Sequence, residues 1–351
     1  MKPYLVSEFG NPSQPYFFAK PAKKALKQAR VTIAECIGAE PEEIYFTSGG
    51  TESDNTAIKF VLYREKNKVI TSQIEHHAIL NACRSLETLH IPVDYLPVTD
   101  KGIVDPKTLE AHLDDQTGLV SIMTANNEIG TIEPIRALCQ KAHAKGVLFH
   151  TDAVQAVGHI PIDVKALGVD MLSASAHKFN GMKGTGFLYV KKGIPIHPLM
   201  DGGAQENHFR AGTENIAGIV AMATALKKNC DRNEEAEKKL KTLETVFCQR
   251  LNVLGIDYIR NGNDEHLPGN INISIKDAEG EMLLHRLDLK GICISTGSAC
   301  DSVNTQLSHV IQAISVPAAY AEGTVRITFG WDNTEEEAIA IADAIGGILN
   351  K

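Results

Sequence analysis

The stretch Ser173-Ala-Ser-Ala-His-Lys-Phe-Asn-Gly-Met-Lys-Gly-Thr-Gly186 decides how the rest of the chain reads. Apolar segments flank it, Val169-Asp-Met-Leu172 before and Gly186-Phe-Leu-Tyr-Val190 after. The pattern predicts a strand, a turn of small and polar residues, and a second strand. A lysine held at such a turn by rigid neighbours can be presented to a cleft, and when partly desolvated it can bond covalently to a carbonyl carbon. Most lysines are solvated surface charges, so Lys178 gains chemical meaning only from what the chain places beside it.

Working outward, strand-like runs alternate with helical ones. A helical stretch from about Ala19 to Cys36 precedes Glu43-Ile-Tyr-Phe-Thr47, which breaks into Ser48-Gly-Gly-Thr-Glu-Ser-Asp54 and a further helical period. Lys68-Val-Ile-Thr71 leads to Glu75-His-His-Ala78, Leu119-Val-Ser-Ile-Met123 to Thr124-Ala-Asn-Asn-Glu-Ile-Gly130, and Val147-Leu-Phe-His150 to Thr151-Asp-Ala-Val-Gln155. Apolar strands separated by helices predict an α/β fold with a mostly parallel sheet covered on both faces. Ligands bind beyond the C-terminal ends of strands in such sheets, where this chain carries Thr51, His76, Asn127, Asp152, Gln155, Ser175, His177 and Lys178.

From about Asn215 to Leu254 the pattern is helical, with a charged middle that reads as a solvated face. Ile256–Ile259, Gly269–Ile275, Ile292–Ser295 and Thr324–Phe329 then read as strands, with helices at Glu279–Leu287, around His309–Ala313 and at Thr334–Leu349. The expected organisation is a large domain over 1–232 and a smaller α+β domain over 233–351, a division suited to 351 residues. A net charge of −8 gives no reason to expect nucleic acid or an anionic membrane as partner. No apolar run reaches the length of a membrane span and the start is unlike a signal peptide, so the expectation is a cytoplasmic protein. Seven cysteines without a CxxC pair argue against a disulfide framework or a zinc site. Cys83, Cys139, Cys230 and Cys248 fall in helical segments and read as packing residues.

Pyridoxal phosphate chemistry needs a lysine, a carboxylate at the ring nitrogen, a phosphate cradle and a group against the ring. Lys178 can supply the lysine and Asp152, directly after an apolar strand, the carboxylate, although an Asp there also suits a helix N-cap. Gly50, Thr51, Ser175 and His177 can form the cradle, because small residues at a helix start let N–H groups approach a phosphate. His76 can supply the ring contact. Cys300, in the small, polar segment Ser295-Thr-Gly-Ser-Ala-Cys300, is a nucleophile candidate, since free cysteines are mostly buried and this one sits among loop residues.

Nine motifs occur in order along nearly the whole chain: Phe-Gly-Asn-Pro-Ser13, Phe-Thr-Ser-Gly-Gly-Thr-Glu-Ser53, Glu-His-His-Ala78, Asn-Asn-Glu-Ile-Gly130, His-Thr-Asp-Ala-Val-Gln155, Ser-Ala-His-Lys178, Arg-Ala-Gly-Thr-Glu-Asn215, Ser-Thr-Gly-Ser-Ala-Cys300 and Val-Arg-Ile-Thr-Phe-Gly330. On these the chain resembles the NifS/IscS-like cysteine desulfurases of the class V aminotransferase superfamily, which have the fold type I of pyridoxal phosphate enzymes. The resemblance implies conversion of L-cysteine to L-alanine, with pyridoxal 5'-phosphate as cofactor and a persulfide formed on Cys300. It implies that Lys178 holds the cofactor and moves the Cα proton, and that Asp152 keeps the pyridine nitrogen protonated. His76 stacks on the ring and Gln155 meets the phenolic oxygen. Asn127 contacts cofactor or substrate, and Gly50, Thr51, Ser175 and His177 bind phosphate. Thr213 reaches the phosphate of a neighbouring subunit, implying a homodimer, and Arg326 pairs with the substrate carboxylate. The Thr-Gly-Ser-Ala-Cys loop is similar to that of the branch that hands sulfur to scaffold proteins.

The chain departs from the pattern in several places. It starts after the Asp-Asn-Ala-Ala-Thr-Thr-like segment usual in the family, Tyr16 stands for a histidine, Gln205-Glu-Asn207 for Gln-Glu-Arg, and Trp331 for an arginine. The missing segment keeps open a diverged cofactor-binding homologue with little turnover, and a selenocysteine lyase-like enzyme on the same scaffold stays open beside it.

Overall fold

The protein is described from a computed structural model, which covers residues 1–195, 197–296 and 307–349. Two compact units emerge. The first comprises Met1–Leu96, Asp105–Thr124 and Glu133–Asn233; the second comprises Pro97–Val104, Ala125–Ile132 and Glu234–Lys351. The two short segments drawn into the second unit break the contiguous division expected from sequence, and one of them carries Asn127.

The first unit is built on a seven-stranded sheet. Its strands are β1 (Ile44–Thr47), β2 (Lys68–Ser72), β3 (Val93–Leu96), β4 (Thr117–Ser121), β5 (Leu148–Asp152), β6 (Met171–Ser175) and β7 (Gly186–Val190), in the order β1-β7-β6-β5-β4-β2-β3. Strands β3, β2, β4, β5 and β6 are mutually parallel, while β7 runs antiparallel to both β6 and β1. Every residue of β2, β4, β6 and β7 is buried, polar ones such as Thr71, Ser121 and Ser173 included, so these strands have no alternation between a wet and a dry face. The helices Lys20–Ile37, Gly50–Lys59, His77–Glu87, Ile135–Ala144 and Ile216–Asp231 belong to this unit.

Register across the sheet places the functional turns. Thr47 pairs with Gly186, and Gly186 pairs with Ser175, so the ends of β1 and β6 are level with the start of β7. A Cβ on Gly186 would lie 2.5 Å from the Ala174 carbonyl oxygen and 2.6 Å from the Gly49 Cα. Only glycine allows this close approach, and it brings the Ser48–Thr51 turn beside Ser175.

The second unit has a three-stranded antiparallel sheet of β8 (Tyr258–Arg260), β9 (Asn270–Ile275) and β10 (Thr324–Thr328), in the order β10-β9-β8. Ile271, Ile273, Ile275, Val325 and Ile327 pack on Leu243, Phe247 and Leu251 of the helix Asn233–Val253 and on Ala338, Ala342 and Ile345 of the helix Glu335–Leu349. Two expectations are corrected here. The helical stretch from Asn215 divides at Arg232, whose backbone is non-helical, into Ile216–Asp231 and Asn233–Val253. Ile292–Ser295 forms no strand: its apolar residues pack on the core, and only Ser295 pairs, with Arg326.

Candidate active site

Four turns follow the C-terminal ends of strands in the first unit, and they hold most of the residues singled out from sequence. Gly50 opens the helix Gly50–Lys59 just after β1. Among the described residues the N–H groups of Gly50 and Thr51 have no protein acceptor, as the first turn of any helix leaves donors open. A Cβ on Gly50 would fall 2.6 Å from Val154 Cγ2, so the helix start is pressed against the turn after β5. Ser175, at the end of β6, shares a 2.9 Å hydrogen bond between its Oγ and His177 Nδ1. Open N–H groups, a hydroxyl and an imidazole thus gather at the positive end of a ten-residue helix, an arrangement suited to an anion.

Asp152 ends β5 and is 5 % exposed. One oxygen accepts the Val154 N–H at 2.9 Å, and the other takes no protein hydrogen bond among the described residues. Burial pushes its pKa up to about 6, against the pull of that N–H and of the Lys178 ammonium. Lys178 lies in the short 3-10 turn Ala176–Phe179 that leaves β6, with its side chain exposed. Its carbonyl oxygen is 2.8 Å from His159 Nε2, and the next carbonyl, of Phe179, accepts from Asn229 Nδ2 at 2.7 Å. Asn180 then reverses the chain in a left-handed conformation, φ 66°.

His76 caps the helix His77–Glu87, and its Nδ1 accepts the Ala78 N–H at 3.1 Å. That bond leaves Nε2 as the nitrogen carrying hydrogen in the neutral ring. Gln155 is half-buried in the turn after β5, with no hydrogen bond from its amide among the described residues. Thr213 is exposed in the loop before the helix Ile216–Asp231. The loop is held by Arg210, which pairs with Glu52 at 2.9 Å, while Glu52 also accepts the Ser48 N–H at 2.8 Å. The altered Gln205-Glu-Asn207 segment has a structural role of its own. Glu206 is buried, takes two bonds from Arg30 and one from the Phe46 N–H, and stabilises three successive left-handed residues, Glu206, Asn207 and His208.

In the second unit Arg326 Nη1 donates to the Asn127 carbonyl oxygen at 2.7 Å, and Nη2 donates to Ser295 Oγ at 3.2 Å. Burial lowers the Arg326 pKa while Glu128 opposes the shift. The guanidinium stays charged at any working pH. Cys300 lies outside the described residues.

Residues 1–341 match the family model described as aminotransferase class-V. The cysteine desulfurase IscS of Dictyoglomus turgidum is 48 % identical over 355 residues, spanning 100 % of this chain and 90 % of the relative. Among solved structures, a NifS-like protein superposes with a TM-score of 0.93 at 36 % identity, covering 99 % of this chain and 94 % of its own. A structure described as SspA in complex with cysteine gives 0.83 at 35 % identity, covering 93 % of each chain.

The chain belongs to the class-V aminotransferases, and among them to the cysteine desulfurases.

A cysteine desulfurase of this kind calls for a pyridoxal phosphate pocket, and the first unit fits one. A buried carboxylate with an open oxygen stands one strand from the lysine-bearing turn, and the open N–H groups of Gly50 and Thr51 gather with Ser175 and His177. Sequence reasoning missed the polar layer behind Asp152. His150 is fully buried between Ser121 Oγ at 2.8 Å and Ser173 Oγ at 2.9 Å. Its Nε2 is 3.8 Å from Asp54 Oδ1, which has no hydrogen bond among the described residues. Burial lowers the His150 pKa to about 3, so the ring is neutral, and burial with the nearby Asp152 raises that of Asp54. Glu75 is pushed up to about 8, again mainly by burial. The signal was present in Leu148-Phe-His150-Thr-Asp152, where polar residues interrupt a strand whose neighbours are buried.

Proposed function

We propose that the chain desulfurates L-cysteine to L-alanine as a cytoplasmic homodimer, with pyridoxal 5'-phosphate as cofactor, and passes the sulfur from Cys300 to an acceptor protein. The observation that best supports this reading is Asp152, a buried carboxylate with a single backbone N–H partner at the end of β5, one strand from the turn that carries Lys178. A plain helix cap needs no such burial.

Gly50, Thr51, Ser175 and His177 would hold the phosphate, with Thr213 reaching the phosphate bound by a second copy. Asp152 would hold the ring nitrogen in its protonated form, His76 would lie against the ring, and Gln155 would meet the phenolic oxygen. When bound, the cofactor supplies a sink for the electron pair left at the substrate Cα.

The chain's own groups do the rest. Lys178 would anchor the cofactor at rest and, as a neutral amine, would take the substrate Cα proton and later return it. His76, with Nδ1 already accepting the Ala78 N–H, has a hydrogen on Nε2 to donate. Arg326 would take the substrate carboxylate through its planar fork of donors, with Asn127 contacting cofactor or substrate. The Cys300 thiolate would attack the substrate sulfur: a new S–S bond forms, the Cβ–S bond breaks with its electron pair remaining on carbon, and protons added at Cβ and, from Lys178, back at Cα complete alanine.

The test is alanine release from L-cysteine by the cofactor-loaded protein, together with mass analysis of Cys300. One alanine per turnover and a persulfide on Cys300, both lost in Cys300→Ser, is the expected result. Cofactor-loaded protein that yields neither alanine nor persulfide rules the reading out.

A further inference from the structure

We infer that Cys36 and Cys230 form a redox-sensitive dithiol, which a hydroperoxide closes to a disulfide within one chain. The two residues are separated by nearly two hundred positions and belong to no sequence motif, yet the fold sets them face to face. The helices that carry them, Lys20–Ile37 and Ile216–Asp231, pack against each other. On the first, Ala22, Ala29 and Ile33 are buried, and Cys36 continues that stripe at the spacing of a helix face. On the second, Ile219, Ala223 and Leu226 are buried, and Cys230 continues theirs. Each cysteine therefore sits at the C-terminal end of a contact stripe, where the two side chains interact directly. Both are free and partly exposed, so a small oxidant can reach them.

The neighbourhood also gives the two sulfurs different roles. Cys36 faces Cys230 as donor and has its own pKa raised; the same interaction lowers that of Cys230. Lys227, one turn earlier on the Cys230 helix, pulls in the same direction, and Asp231 opposes it. Burial raises both. By contrast, Cys83 and Cys139 have pKa values pushed up to about 12 by burial, which leaves them inert.

The chemistry closes on these two residues and one oxidant. The Cys230 thiolate attacks an oxygen of the hydroperoxide. Its O–O bond breaks, the leaving alkoxide or hydroxide takes up a proton, and the sulfur becomes a sulfenic acid. Cys36 then attacks that sulfur, an S–S bond forms and water leaves. Two thiols are oxidised by two electrons and one peroxide bond is reduced. The link would join the first helix to the end of the second, where Asn229 holds the Phe179 carbonyl beside Lys178. The site lies within the first unit and does not depend on the desulfurase reading.

The experiment uses reduced, cofactor-loaded protein titrated with hydrogen peroxide, quenched with a thiol alkylator and mapped by mass spectrometry. The expected product at low equivalents is one cross-linked peptide pair containing Cys36 and Cys230. It is reversed by dithiothreitol and accompanied by an upward shift in melting temperature. In Cys36→Ser the link is lost and Cys230 is trapped by dimedone as a sulfenic acid. Full alkylation of both residues after the exposed Cys293 has oxidised overturns the proposal. So does a link that joins two chains, or a Cys230 that dimedone never labels in Cys36→Ser.

Discussion

Asp152 and Glu244 are buried to nearly the same extent, 5 % and 4 % exposed, one in each unit. Their surroundings are opposite. Glu244 accepts from Arg260 at 2.7 Å, His266 at 2.8 Å and the Gly269 N–H at 2.5 Å. Burial by itself would raise its pKa, but these partners more than offset it and the net shift is downward. Asp152 has one backbone N–H and the more distant pull of Lys178, and its pKa rises to about 6. A buried carboxylate whose partners all come from the protein ties a loop to a helix. One left partly unsatisfied at a strand end stores a destabilising interaction that a ligand can relieve.

The contrast can be broken most forcefully at Lys178. In Lys178→Ala, alanine formation is expected to fall by at least about 10²–10⁴-fold, the range supplied by a positioned proton-transfer group. The long-wavelength absorbance of lysine-bound cofactor is expected to disappear while circular dichroism stays native. Asp152→Asn is expected to lower kcat by about 10²-fold or more, as for other preorganised charges, with the melting temperature of the cofactor-free protein unchanged or higher. Glu244→Ala is the reverse case. Urea unfolding is expected to show a loss of about 3 kcal/mol, at the low end for a broken buried pair because Arg260 is 37 % exposed. If Asp152→Asn destabilises the cofactor-free protein as much as Glu244→Ala does, the distinction drawn between the two sites is wrong.

Smaller effects sharpen the comparison. Ser175→Ala tests the proposed phosphate cradle: loss of one hydroxyl donor to a charged group is expected to cost about 1.5–3 kcal/mol, or roughly 10–100-fold in cofactor affinity, by equilibrium dialysis. The pH dependence of stability should separate the two kinds of carboxylate. Asp152 and Glu75 bind protons more tightly folded than unfolded. Their contribution is therefore full at low pH and is lost as pH rises from about 4 to 6 for Asp152, and on towards 8 for Glu75. Glu244, with its pKa lowered, contributes above the ordinary carboxylate range and loses that contribution as pH falls below it. Glu75→Gln in cofactor-free protein is expected to raise the melting temperature more at pH 8 than at pH 5. An equal change at both values would show that Glu75 does not titrate across that window.

Much of the fold was legible along the chain. The turn between β6 and β7 was readable because small and polar residues interrupt two apolar runs. The Ser-Gly-Gly-Thr51 helix start was readable because glycine there has a local steric meaning. The residues that sequence reasoning placed at strand ends do stand there in the first unit, since a parallel sheet puts the turns after β1, β2, β5 and β6 along one edge. Asn127 was also expected at a strand end, and it does follow β4, but its segment joins the second unit. Nothing in Thr124-Ala-Asn-Asn-Glu-Ile-Gly130 signals this, because the hydrogen bonds that draw it there come from Asn272, Arg326 and Leu267, far along the chain.

By itself the sequence determined the strand–helix alternation, the position of Lys178 at a tight turn, and membership of a family whose chemistry uses such a lysine. These follow from local periodicity, local sterics and residue type, all of which survive without knowledge of distant contacts. Only the tertiary structure decided that β7 runs against its neighbours and levels Gly186 with Thr47 and Ser175. It alone decided that Asp152 remains under-satisfied where Glu244 does not, and that Cys36 meets Cys230. The physical reason is common to all three. Desolvation and charge coupling depend on which atoms lie within a few ångströms, and strand order and helix packing choose those neighbours from remote parts of the chain.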